Sequence, residues 1–137
     1  DSYLSNTKYI NNWDLVDNSA MQIVGDYLEK RSKQPIYKLA KSDSLWERRI
    51  AIISTFHFIK SKQFKDTLEI SALLLRDEED LIHKAVGWML REIGKRDAVL
   101  EKSFLKIHYQ DMPRTMLRYA IEKFPARERL KYLKGII

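Results

Sequence analysis

Two tryptophans, an aspartate and an arginine are the residues of this sequence best suited to chemistry on a charged ligand. Trp88 lies in the stretch LIHKAVGWMLREIGK (81–95), where the ~100° step of an α-helix groups the apolar residues on one half of the circumference. On the other half Trp88 falls beside Lys84, Arg91 and Lys95. An aromatic ring in a basic field suits a ligand with negative charge and a surface to stack on. The alternative is that Trp88 lies at the edge of the core with its ring half covered.

Arg49 is a charged residue in an apolar setting. In the helix that begins at Leu45, its neighbours around the helical wheel are all apolar, whereas Arg48 points elsewhere. A guanidinium in such a place is either paired, because a lone buried charge is costly, or directed at a ligand phosphate, which its fork geometry suits. The candidate partners for a structural ion pair are Asp17, Asp26 and Glu92.

Trp13 and Asp17 form a second candidate group, in the stretch NWDLVD (12–17). If this stretch is a helical turn, the two side chains are i and i+4 neighbours on one face. Ser19 and Gln22 have the spacing of a capping box for the following helix, so Asp17 is not needed as its cap. A carboxylate beside an indole can act as a general base or stabilise developing positive charge. The alternative is a surface aspartate beside a half-buried tryptophan.

The other residue types that commonly carry chemistry give no site. His57, His83 and His108 lie on separate predicted helices and lack the short spacing of metal ligands. The sequence has no glycine-rich phosphate loop and no serine nucleophile elbow. It also has no cysteine, which excludes disulfides and thiol catalysis. We therefore expect no metal and no cofactor.

Composition indicates one helical domain with a preference for polyanions. The 137 residues, 45% of them hydrophobic, are enough for a single core spanning 1–137. The net charge of +6 favours polyanionic partners. No run of about 18 apolar residues and no signal peptide occurs, so we expect a cytoplasmic protein without a membrane span. The chain begins at Asp1 without a methionine, and we expect it to be the C-terminal part of a longer domain.

Hydrophobic spacing predicts an all-α fold, because no stretch alternates with period two for long enough to form a strand. The helix at 44–59 is apolar nearly all round, which predicts that it is buried. Gly135 stands where the last helix should end. The predicted helices cover 19–31, 35–41, 44–59, 65–75, 79–95, 98–109, 113–124 and 126–134.

Small residues recur at similar points of successive helices, at positions 25, 51, 87 and 120. Irregular spacing of this size, with antiparallel helix pairs, is typical of HEAT-like repeats. We expect a curved, right-handed α-solenoid with a concave basic groove lined by the second helix of each pair. The alternative is a compact bundle that carries small residues at helix crossings for packing alone.

Three motifs in order along the chain resemble those of the AlkD-like branch of the DNA alkylation repair family. They are NWDLVD (12–17), LWERRIA (45–51) and HKAVGWMLRE (83–92), and the segment 112–121 is similar to that family's C-terminal part. The resemblance implies a HEAT-like solenoid that binds duplex DNA in its concave groove. It also implies hydrolysis of the glycosidic bond of cationic N3- or N7-alkylated purines. The resemblance also implies further helices upstream of these motifs, which complete the groove in that family.

By this resemblance Asp17 is the catalytic carboxylate, Trp13 and Trp88 flank the sugar and backbone of the lesion nucleotide, and Arg49 holds a phosphate near the lesion. The expected protein is a monomeric, monofunctional DNA glycosylase that acts on double-stranded DNA with alkylated bases. A different class of protein stays open, a non-catalytic HEAT-like scaffold that binds nucleic acid or protein, because fold alone does not imply activity. The remaining expected DNA contacts are Lys84, Arg91 and Lys95.

Overall fold

The structure, a computed structural model, describes residues 34–135. Within this range the chain forms helices and no strand, which confirms the all-α prediction for these residues. The helices are α1 (Gln34–Ala40), α2 (Leu45–Ser54), α3 (Phe56–Lys60), α4 (Lys65–Leu73), α5 (Asp80–Arg96), α6 (Ala98–His108), α7 (Arg114–Ala120) and α8 (Ala126–Lys134).

The helix predicted at 44–59 is divided into α2 and α3 at Thr55, so the prediction of one continuous helix was wrong. The Thr55 hydroxyl donates to the carbonyl oxygen of Ile52 at 2.6 Å, and the Ser54 hydroxyl donates to that of Ile50 at 2.7 Å. These side chains compete with backbone N–H groups for the same carbonyls, and such competition weakens a helix locally. The prediction that this segment is buried is confirmed, since Ile50, Ile52 and Phe58 are fully buried.

Helix α5 lies at the centre of the described part of the chain and contacts α2, α3, α4, α6 and α7. Its buried apolar face contains Ile82, Val86 and Met89, as the hydrophobic spacing predicts. Trp88 lies at the edge of this face and is half-buried.

Helices α5 and α7 cross closely at Gly87. A Cβ built on Gly87 would lie 2.6 Å from the backbone oxygen of Met116 and 3.3 Å from the backbone nitrogen of Ala120. The small residues predicted at positions 87 and 120 thus meet at one helix crossing, which allows the two backbones to approach. This contact explains both positions by packing alone.

The last turns of the fold follow local sequence signals. The helix predicted at 113–124 is shorter, because α7 ends at Ala120 and turns of the i to i+3 type carry the chain to Phe124. Pro125 follows, and the residue before a proline is disfavoured in a helix. Gly135 ends α8 in the left-handed conformation, with φ of 71°. No helix between residues 34 and 135 combines the length and the apolar character that crossing a bilayer requires.

Candidate nucleic-acid interface

Trp88 is half-buried and packs against the core with one side of its ring, as the edge-of-core alternative requires. Its ring centroid lies 6.1 Å from that of Phe56 on α3, with the two planes tilted by 40°. Two cations lie over the Phe56 ring, Lys60 Nζ at 5.4 Å from the centroid and Arg96 Cζ at 5.8 Å. Cations at this distance from an aromatic face are attracted by the ring quadrupole. The indole therefore belongs to an aromatic and basic cluster at the edge of the core.

The predicted basic residues of α5 share one stripe with Trp88, because steps of three and four residues return to the same side of a helix. Each is paired with a carboxylate. Lys84 contacts Asp80 at 3.2 Å, Arg91 contacts Glu122 on the turn after α7, and Lys95 contacts Glu92 at 3.0 Å. Of these pairs only Lys84–Asp80 has both side chains well exposed, and an exposed pair contributes little free energy, so a phosphate could replace Asp80 at small cost.

Arg49 is buried on α2, with 9% of its surface exposed. Its Nη1 atom donates to the carbonyl oxygen of Leu81 at 2.6 Å, in the first turn of α5. Of the carboxylates considered as partners, Glu92 is held by Lys95 and Arg96. Asp17 and Asp26 lie outside the described residues.

Arg48, the neighbour of Arg49, makes a different set of hydrogen bonds. Its Nε donates to a carboxylate oxygen of Asp77 at 2.7 Å, and its Nη1 donates to the carbonyl oxygens of Ser42 and Asp43 at 3.1 and 3.0 Å. These bonds tie the loop before α2 to the loop before α5. Of the two adjacent arginines, Arg48 is thus the one that holds loops together.

Glu92, Arg96, Phe56 and Lys60 belong to the cluster around Trp88 and were not among the predicted site residues. Burial tends to raise the pKa of Glu92, but hydrogen bonds from Lys95 and Arg96 outweigh it and lower the pKa below its ordinary value. Glu92 therefore stays ionised and holds both cations at the end of α5. The i and i+4 spacing of Phe56 and Lys60 was the sequence signal for their contact.

The histidines serve packing and local hydrogen bonding in the part of the chain between residues 34 and 135. His57 lies edge-on to the Phe58 ring, His108 lies 4.5 Å from the Phe104 ring centroid, and His83 Nε2 donates to the carbonyl oxygen of Asp77. In this range no three or more His, Cys, Asp or Glu side chains are grouped so that they could hold a metal ion. Trp13 and Asp17, the other predicted site residues, lie outside the described residues.

Comparison with known families agrees with the motifs. A family model described as DNA alkylation repair enzyme matches residues 1–124. The chain belongs to this family. A comparison with curated proteins gives no match.

The range matched by the DNA alkylation repair enzyme family includes every predicted site residue. The matched range contains Trp13, Asp17, Arg49 and Trp88, and it ends at Phe124, before α8. The family connects the chain with the repair of alkylated DNA. DNA is a polyanion, the class of partner that the net charge of +6 favours.

Proposed function

We propose that this protein is a DNA glycosylase that hydrolyses the N-glycosidic bond of cationic N3- or N7-alkylated purines in duplex DNA. The observation that carries the proposal is the family match, which spans all four predicted site residues. The reaction belongs to the repair of alkylation damage in the cytoplasm, on DNA of the nucleoid. The protein acts as a monomer and without a cofactor.

The proposed chemistry needs few groups. Alkylation at N3 or N7 gives the purine a positive charge, so the base leaves as a neutral molecule with the electron pair of the C1′–N bond. Water forms the new C1′–O bond and gives its proton to a carboxylate or to solvent. An oxocarbenium-like sugar develops positive charge, which one carboxylate and two indole faces can stabilise. We assign the carboxylate to Asp17 and the indoles to Trp13 and Trp88.

The described residues support a DNA-binding role for α5. Arg49 meets the carbonyl of Leu81, and Leu81 precedes Trp88 by two helical turns, or about 10 Å along the axis. The bond places the Arg49 guanidinium at the start of the helix that carries Trp88. Trp88 is half-buried and lies between Lys84 and Arg91 on the helix surface, so a nucleotide that reached it would lie beside both cations and the carboxylates that pair with them.

A non-catalytic scaffold is the second candidate, and the ion pairs of α5 favour it. Lys84, Arg91 and Lys95 are all neutralised by carboxylates, which lowers the positive potential available for DNA. A scaffold for protein partners would bind DNA weakly even at low salt.

Base release from methylated duplex DNA tests the proposal. The 137-residue chain is incubated in excess with the duplex, and free bases are separated by chromatography. We expect release of 7-methylguanine or 3-methyladenine, and the exposed Lys106→Ala variant should release as much as the unaltered chain. DNA binding without any release would contradict the enzyme assignment and leave the scaffold.

A further inference from the structure

A pocket of about 190 Å³ opens where the end of α5 and the start of α6 meet the turn between α7 and α8. This volume is several times the space that one water molecule takes in the liquid, so a phosphate group fits. The apolar part of the lining includes Ala120 and Phe124. The basic part consists of Arg91, Lys95, Lys102 and Lys123.

The pocket is lined by more basic side chains than there are carboxylates paired with them. Arg91 pairs with Glu122 and Lys95 with Glu92, while Lys102 contacts Glu128 at 3.2 Å. Lys123 is exposed and has no hydrogen-bond or ion-pair partner among residues 34–135. The pocket thus keeps a surplus of positive charge.

Two helix N-termini add to this charge. Ala98, the first residue of α6, and Pro125, the N-cap of α8, both line the pocket. Unsatisfied N–H groups at helix N-termini favour anions. The Asp97 side chain accepts from the backbone nitrogen of Leu100 and caps one of these groups on α6.

Glu101 is a buried carboxyl group in the pocket wall. It is 1% exposed, and its Oε2 atom has no hydrogen-bond partner. Its Oε1 atom occupies the space beside Gly94 on α5, where an added Cβ would lie only 1.9 Å away. The Nε atom of Arg91, on the same wall, is also buried and without a hydrogen-bond partner. Two buried polar atoms of one pocket therefore lack hydrogen-bond partners. Such atoms lower the stability of the fold unless a ligand provides the missing partners.

We propose that this pocket binds a backbone phosphate of the DNA duplex, with Lys123, Lys102 and Arg91 as cationic contacts and the buried side chain of Glu101 as part of its wall. This assignment rests on the proposed function, because it extends the DNA path along α5. Lys95 follows Trp88 by two helical turns on the same face, or about 10 Å. The phosphate in the pocket thus belongs to the strand that passes Trp88, beyond the lesion.

The charge state of Glu101 makes this contact dependent on pH. Burial raises the pKa of Glu101 to about 8, although Lys102 and Arg91 act to lower it. Tyr132 on α8 also faces Glu101, and its own pKa is raised by burial and then by Glu128 and Glu101. Below pH ~8 the carboxyl is neutral and does not repel a phosphate. Affinity for the phosphate therefore falls as pH rises through this value.

Fluorescence anisotropy with an unmodified DNA duplex tests the contact in the whole chain. We expect Lys123→Ala to weaken binding about 3- to 10-fold and to reduce the salt slope by about one. Lys106→Ala, an exposed lysine on α6 outside the pocket, is the matched control and should change affinity less than about twofold. Equal effects of the two variants would overturn the proposal.

The Glu101→Gln variant gives a second readout, because it removes the ionisable group with little change of shape. Between about pH 7 and pH 9 the unaltered chain should lose DNA affinity, whereas Glu101→Gln should lose much less. The same pH dependence in both proteins would contradict the role of Glu101. A folded Glu101→Gln chain, checked by circular dichroism, makes either result decisive.

Two further outcomes separate this proposal from the proposed function. If Lys123→Ala releases bases and binds DNA as well as the unaltered chain, the phosphate-binding proposal is wrong and the glycosylase proposal stands. If the unaltered chain releases no base but Lys123→Ala still weakens DNA binding, the glycosylase proposal is wrong and the phosphate-binding proposal stands. Binding of inorganic phosphate but not of DNA at Gly94 and Ala98, seen by amide chemical shifts, would identify a site for free phosphate and overturn the DNA assignment.

Discussion

The Nη1 atom of Arg49 lies 2.6 Å from the carbonyl oxygen of Leu81 and donates a hydrogen bond to it. This bond joins α2 to the first turn of α5, two helical turns before Trp88. A buried guanidinium that binds a carbonyl is fixed in direction. The bond therefore couples the position of a proposed phosphate-binding residue to the helix that carries the proposed indole.

Replacement of Arg49 by alanine should weaken DNA binding and reduce its salt slope by about one counterion. It should also lower the free energy of unfolding by about 2 kcal/mol, because a charged hydrogen bond between helices is lost. Arg49→Lys keeps the charge and should restore most of the salt slope but not the fork geometry. Anisotropy titrations at several salt concentrations and urea unfolding measure the two effects. An unchanged salt slope in Arg49→Ala would assign Arg49 to structure alone.

Removal of the carboxylate that pairs with Arg91 should strengthen DNA binding. Glu122→Gln frees the guanidinium on the face of α5 that carries Trp88. We expect tighter binding and a steeper salt slope than for Glu78→Gln, a matched loss of one exposed negative charge. The gain should disappear when Arg91 is also replaced by alanine. Equal gains in Glu122→Gln and Glu78→Gln would show that only net charge matters.

Gly87→Ala should destabilise the protein much more than Gly94→Ala, although both glycines lie on α5. At Gly87 the added Cβ would meet the backbone oxygen of Met116 at 2.6 Å, and backbone can move only with its helix. At Gly94 it would meet the carboxyl end of Glu101, which is flexible. Overpacking at the first position should cost about 2 kcal/mol of unfolding free energy. Urea unfolding measures both variants, and a similar loss in each would contradict the close crossing of α5 and α7.

Glu101 should make the folded state less stable as pH rises. Its pKa is raised from 4.5 to about 8, so between these values the folded state holds a proton that the unfolded state releases. Stability is then lost with increasing pH across this window, by roughly 1 kcal/mol per pH unit. Glu101→Gln should remove this loss. Chemical unfolding at about pH 5, 6.5 and 8 measures it, and a parallel decline in both proteins would argue against a buried, protonated carboxyl.

Helix position and the buried faces were predictable from the sequence because they depend on local spacing. The bounds of α8 were predicted as observed, and the apolar face of α5 was predicted nearly residue by residue. The break at Thr55 was missed, since its cause is a side-chain hydroxyl that bonds a carbonyl within an otherwise helical pattern.

The pairing of Arg91 could not be predicted, because it depends on which helices pack side by side, whereas the Lys84–Asp80 and Lys95–Glu92 pairs follow the i+4 and i+3 spacing within α5. Glu122, the partner of Arg91, is 31 residues away along the chain. The buried carboxyl of Glu101 was missed for the same reason, since it is the packing of α6 against α5 at Gly94 that buries this side chain. The roles of Trp13 and Asp17 stay predictions, and they rest on motif and family.

The most direct test of the glycosylase assignment compares the unaltered chain with Asp17→Asn in single-turnover release of 7-methylguanine from duplex DNA, with DNA affinity measured in parallel. The assignment predicts that Asp17→Asn loses most of the release rate and keeps nearly all of the affinity, because the carboxylate stabilises the sugar cation and is not needed to hold the backbone. Release at the full rate by Asp17→Asn would contradict it.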